Sequence, residues 1–156
     1  MAERAPKVAI AFHSAKGHTA AVAHAVGEGA EGAGASVSLL PVEAVDDAAW
    51  RTLADADAIV FGCPTHMGSV SAPMKAFMDA SSERAWFTQA WKDKLAAAFT
   101  NSSGLSGDKL NTLVQLSVFA AQLASDRDAF LRRRCGYLSL LRRRSDRGLA
   151  RSHSPL

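Results

Sequence analysis

The feature that most restricts the fold is an alternation: four short apolar runs, each followed by a stretch with helical spacing, fill residues 7–122. The runs are "KVAIAF" (7–12), "ASVSLLPV" (35–42), "DAIVFGCP" (57–64) and "KLAAAFT" (94–100). The first helical stretch, "GHTAAVAHAVGEGAEGAG" (17–34), has Val22 and Val26 on one side and glycines to end it. "DDAAWRTLADA" (46–56) opens on an aspartate cap, and "SAPMKAFMDASSE" (71–83) has Ser71 as cap and Pro73 in its first turn. "SGDKLNTLVQLSVFAAQ" (106–122) is the last. Because the strands are apolar throughout, both of their faces should be covered, "KLAAAFT" included as a buried strand. The pattern predicts an open doubly wound α/β sheet of parallel strands with helices on both sides. At 156 residues the chain is the size of one domain with one core.

Charge divides the chain unevenly. Residues 1–122 hold nine Lys/Arg against twelve Asp/Glu, whereas residues 123–156 hold nine Arg against three Asp, including two "RRR" triplets. This predicts a domain over 1–122 and a basic tail over 123–156; if the tail binds anionic partners, its composition implies binding by charge alone, without specific nucleic-acid recognition. The apolar runs are too short to span a membrane. "MAERAPK" lacks the apolar core of a secretory signal, and Cys63 and Cys135 are too far apart in sequence for a redox or zinc pair. A cytoplasmic location is expected. His13, His18, His24 and His66 lack zinc-ligand spacing, and no metal is expected. Cys63 reads as a buried strand residue, and Lys75 with Asp79 as a surface pair.

In an open parallel sheet the ligand crevice lies beyond the carboxyl ends of the strands. Three segments leave those ends. "HSAKGHT" (13–19) offers Ser14, His18 and Thr19 as donors, Gly17 for a tight turn, and the free N–H groups of the following helix. It reads either as a phosphate loop or as a capped turn, and it carries neither GxxxxGK[ST] nor GxGxxG. "GCPTHMGSVSAP" (62–73) is a loop able to lay amides along a flat heterocycle, and "TNSSGLSGD" (100–108) adds hydroxyl and backbone donors.

Together these segments resemble the flavodoxin-fold, FMN-dependent NAD(P)H:quinone oxidoreductases of the WrbA type, akin to NADPH-dependent FMN reductases. The likeness runs from about residue 7 to residue 122. It rests on "S-x-x-G-H-T" and, some 45 residues later, "P-T-x-x-G" with "MKAFMD" beyond it. The resemblance implies that Ser14, Ala15, Lys16, Gly17, His18 and Thr19 hold the FMN phosphate. It also implies that Pro64, Thr65, His66, Met67 and Gly68 border the isoalloxazine, and that Thr100, Asn101, Ser102, Ser103 and Gly104 wrap its other side. In such enzymes the flavin passes a hydride's electrons from NAD(P)H to a quinone, so no catalytic side chain is implied. An aromatic segment after the third helix lines the substrate side in the family. Here Trp86, Phe87 and Trp91 stand there, with Trp86 and Trp91 the substrate candidates. Homodimers or homotetramers are implied. The alternatives are a flavodoxin-type electron carrier and a non-enzymatic domain acting through its basic tail.

The likeness stops at "FAAQ". Relatives continue with "HGM" and a fifth strand, whereas this chain continues "LASDRDAFLRRRCG", a composition that fits out-of-frame translation or a genuine anion-binding tail. The sheet is therefore expected to lack a normal fifth strand, leaving "KLAAAFT" as an uncovered edge, and FMN affinity is expected to fall.

Overall fold

The computed structural model describes residues 4–105 and 107–124; the basic tail from residue 125 onward lies outside the described residues. Strands β1 (Lys7–Phe12), β2 (Ser36–Pro41), β3 (Ala58–His66) and β5 (Leu95–Asn101) alternate with helices α1 (His18–Gly32), α2 (Asp47–Asp55), α3 (Ala72–Ser81) and α4 (Lys109–Ala124). A two-residue strand β4 (Ser69–Val70) folds back on β3. The four longer strands are parallel in the spatial order β2-β1-β3-β5, and β4 is antiparallel to β3. This is the doubly wound α/β fold that the alternation predicts.

The strand period of two explains how both faces are filled. From β1, Ala9 and Ala11 face one side with Ile59, Phe61 and Cys63 of β3, and they meet Leu53 of α2, Met74 and Phe77 of α3, and Leu116 and Phe119 of α4. Ile10 and Phe12 face the other side with Val60, where Ala23 and Val26 of α1 cover them. Gly62, on that second face, has no room for a Cβ: the Phe99 ring lies directly over it.

Local chemistry sets the boundaries. Asp46 caps α2 by accepting the Ala49 N–H at 2.8 Å. Pro73 sits in the first turn of α3, where no backbone N–H is needed. Ser71 occupies the cap position of α3, but its side chain caps nothing and is used elsewhere. After α3 the chain makes a π turn over Ser82–Trp86. Lys75 and Asp79 pair across one turn of α3 as expected.

Two strand expectations need correction. β5 is not a buried strand: Leu95 to Ala98 are exposed, because β5 is at the sheet border and β3 is its only strand neighbour among the described residues. β3 does not end at Pro64 but runs to His66, and the segment expected as a loop is a hairpin. Met67 (φ +48°) and Gly68 (φ +76°) turn the chain, with positive φ at both central positions as in a type I′ turn.

Candidate functional site

β1, β3 and β5 deliver three polar segments to one end of the sheet. The β1 ladder extends by one residue, His13 donating its N–H to Gly62 O at 2.9 Å. Ser14 to Gly17 then lead into α1, with Gly17 in the left-handed region at φ +83°. The N-cap residue of α1, Gly17, has no side chain to cap it. The Ser14 hydroxyl instead accepts the Ala20 N–H at 3.0 Å, and Ala21 donates to Gly17 O. Among the described residues, the N–H groups of Ala15, Lys16, Gly17, His18 and Thr19 find no acceptor, so the positive end of the helix faces outward. Lys16 and His18 are exposed beside them. Thr19 is not: it is buried and donates its hydroxyl to Asn101 Oδ1 at 2.7 Å, bracing the first segment against the third.

The second and third segments are joined by hydroxyls. Thr100 Oγ1 donates to Cys63 O at 2.7 Å, which commits its only proton. Thr100 Oγ1 must then accept from Thr65 Oγ1 at 2.9 Å, and Thr65 in turn accepts from Thr112 Oγ1 of α4 at 2.8 Å. Thr65 is buried and its hydroxyl is fully engaged, so it can border a ligand only through its backbone. Pro64 and Gly68 are half-buried, while His66 and Met67 are exposed at the hairpin tip. Asn111 donates from its amide to Gly68 O, and Asp108 lies against Gly68 Cα. Ser102 is half-buried, while Ser103 and Gly104 are exposed. Lys109 draws this segment together, donating from Nζ to Ser102 Oγ at 2.8 Å and to Gly104 O at 2.6 Å.

The aromatic expectation divides. Trp91 is 3% exposed and packs among Trp50, Phe61, Phe77 and Phe119, so it is a core residue rather than a substrate contact. Trp86 is half-buried and meets exposed Phe87 edge-on at 4.8 Å. Among the described residues no three His, Cys, Asp or Glu side chains gather as a metal site would need. None of their helices is long and apolar enough to cross a membrane.

Sequence reading considered His13 only as a metal ligand and Ser71 only as a cap. The structure joins them: His13 Nδ1 is 2.8 Å from Ser71 Oγ, and both are buried. A polar residue directly after a buried strand was the available signal for His13. Burial pushes the Cys63 thiol up, opposed by hydrogen bonds from the backbone and side chain of Ser71.

The family model for NADPH-dependent FMN reductase matches residues 8–125. Flavodoxin FldP from Pseudomonas aeruginosa is 41% identical over 119 residues, covering 74% of this chain and 61% of the relative. An NAD(P)H dehydrogenase (quinone) from Azorhizobium caulinodans is 35% identical over 127 residues, covering 70% and 63%. The chain thus spans about three fifths of the length of these curated relatives. Among solved structures, a WrbA-like flavodoxin from Agrobacterium tumefaciens superposes with a TM-score of 0.69 at 44% identity, covering 77% of this chain and 74% of that one. With its parallel sheet, its helix-capped loop after β1 and a match across three quarters of its length, the chain belongs to the NADPH-dependent FMN reductase family.

Proposed function

We propose that this chain is the FMN-binding part of an NAD(P)H-dependent oxidoreductase that reduces quinones. The observation that supports this reading best is the row of unpaired N–H groups from Ala15 to Thr19 at the positive end of α1, next to the β1/β3 position where strand order reverses. Such a row suits a dianionic phosphate monoester, and the donor set fits FMN. Ser14, Ala15, Lys16, Gly17, His18 and Thr19 would hold the phosphate, chiefly through backbone amides. Pro64 to Gly68 would border the ring on one side and Thr100 to Gly104 on the other, with Lys109 and the threonine hydroxyls keeping both segments in place. When bound, FMN supplies the redox chemistry, taking two electrons from a nicotinamide and yielding them to a quinone. The protein's own part is to bind, orient and leave one ring face open. In an assembly of two or four copies, Trp86 would line the acceptor side from a neighbouring subunit.

Titration with FMN, followed by quenching of flavin fluorescence, together with NADH- and NADPH-driven reduction of benzoquinone, tests the reading. Saturable binding with turnover is expected, and no flavin binding by folded protein would overturn it. A second reading, a flavodoxin-type electron carrier, is favoured by the 41% identity to Flavodoxin FldP. That reading predicts bound FMN without direct oxidation of NAD(P)H.

A further inference from the structure

His13, Ser71 and Cys63 form a buried cluster beside the proposed phosphate loop, with the exposed Glu43 at its outer end, and no step above uses them. His13 is 4% exposed, Ser71 and Cys63 are fully buried, and each comes from a different part of the fold. His13 directly follows β1, Cys63 is in β3, Ser71 precedes α3, and Glu43 lies in the 3-10 turn Val42–Ala44 after β2. His13 Nδ1 is 2.8 Å from Ser71 Oγ, and His13 Nε2 is 3.8 Å from Glu43 Oε1. Ser71 also faces the Cys63 thiol, opposing through its backbone and side chain the upward push of burial. The order Ser–His–Glu is that of a hydrolytic relay, but Ser71 has no exposed surface and cannot meet a substrate.

Proton counting gives the cluster a direction. A carboxylate at Glu43 only accepts, so at 3.8 Å from Nε2 it suits a ring that carries a proton on that nitrogen. Nδ1 is then an acceptor and takes the Ser71 hydroxyl proton. His13 Nδ1 and the Ser71 hydroxyl thus satisfy each other, as buried polar groups require.

We propose that His13 is a positioning residue: through the bond from Ser71 Oγ to Nδ1 it locks the phosphate loop (14–17) to the hairpin (64–70), so that both reach FMN in one geometry. Its effect on affinity rests on the FMN reading; the locking itself does not. Ser71 immediately follows β4, so whatever holds Ser71 holds the returning arm of the hairpin.

The test compares His13→Asn, whose amide oxygen can replace Nδ1 as acceptor, with His13→Phe, which fills the space without a bond, and with Ser71→Ala. Expected results are an FMN dissociation constant raised about fivefold to tenfold in His13→Phe and Ser71→Ala, near wild type in His13→Asn, and no further loss in the His13→Phe/Ser71→Ala double variant. Hydrogen exchange without flavin should show faster amides at 65–70 in His13→Phe than in His13→Asn, and nitrogen-15 spectra of the wild-type ring should show Nδ1 as the unprotonated nitrogen. Equal exchange in the Phe and Asn variants, or additive losses in the double variant, would overturn the proposal. If wild-type protein binds no FMN while exchange separates the two variants, the FMN reading fails and the lock stands.

Discussion

On one face of the sheet, five aromatic rings pack together. Trp50 stacks on Phe77 at 5.1 Å and on Trp91 at 5.9 Å, and Phe61 meets Phe119 edge-on at 5.2 Å. On the other face, α1 lies close with small residues: Ala23 is fully buried, and Gly27 has Val37, Ile10 and Leu39 all within 4 Å of where a Cβ would stand. One face is held by bulk and the other by close approach. The difference bears on function, because α1 begins at Gly17 and carries the proposed phosphate loop, whereas the aromatic face carries α2, α3 and α4. Changes on the first face should cost stability, and changes on the second should also disturb binding.

Five substitutions, one of them as the partner in a double variant, probe that contrast. Phe61→Ala removes the ring that touches Phe77, Trp91 and Phe119, and should cost about 3–5 kcal/mol in urea unfolding. Gly62→Ala, on the α1 side of the same strand, drives a methyl into the Phe99 ring and should cost about 1–3 kcal/mol. Adding Phe99→Ala should return part of that loss in a double-mutant cycle, whereas strict additivity would show that the ring is not the obstacle. Asp46→Ala removes the α2 cap and should cost about 1 kcal/mol, with little effect on flavin binding. Arg4→Ala belongs to neither face and should change the least at neutral pH. Arg4, by hydrogen bond and charge, and the Lys7 N–H hold the Asp57 carboxyl far below its ordinary range. Because the folded value is the lowered one, this contribution is present above about pH 4 and is lost as the pH falls further. Arg4→Ala should therefore lower Tm slightly at pH 7 and leave it unchanged in strong acid, so that the fall between the two is flatter.

Much of this architecture was legible in the chain itself. Runs such as "VAIAF" and "AIVFGC" have apolar atoms on both faces, and Asp46, Ser71 and Pro73 mark helix starts by their backbone chemistry. The hairpin was hidden because Met67 adopts a positive φ that its side chain does not advertise, so only Gly68 hinted at the turn. Trp91 was misjudged for a related reason. A tryptophan in a polar stretch looks available for a ligand, and only tertiary packing shows that Phe61 and Trp50 have enclosed it. The exposure of β5 followed from the expected loss of the next strand, although its own apolar composition argued for burial. The His13–Ser71 bond links residues 58 positions apart and left no trace in local pattern.

The threonine relay from Thr112 through Thr65 and Thr100 to Cys63 O bears on how the site tolerates genetic change. Because those hydroxyls face inward, a drift from threonine to valine at Thr65 or Thr100 would keep the shape yet strand the preceding hydroxyl's proton, and the others would be under pressure to change with it. His66, Met67 and Ser103 stand outside the relay. A change at any one of those positions leaves no buried proton stranded.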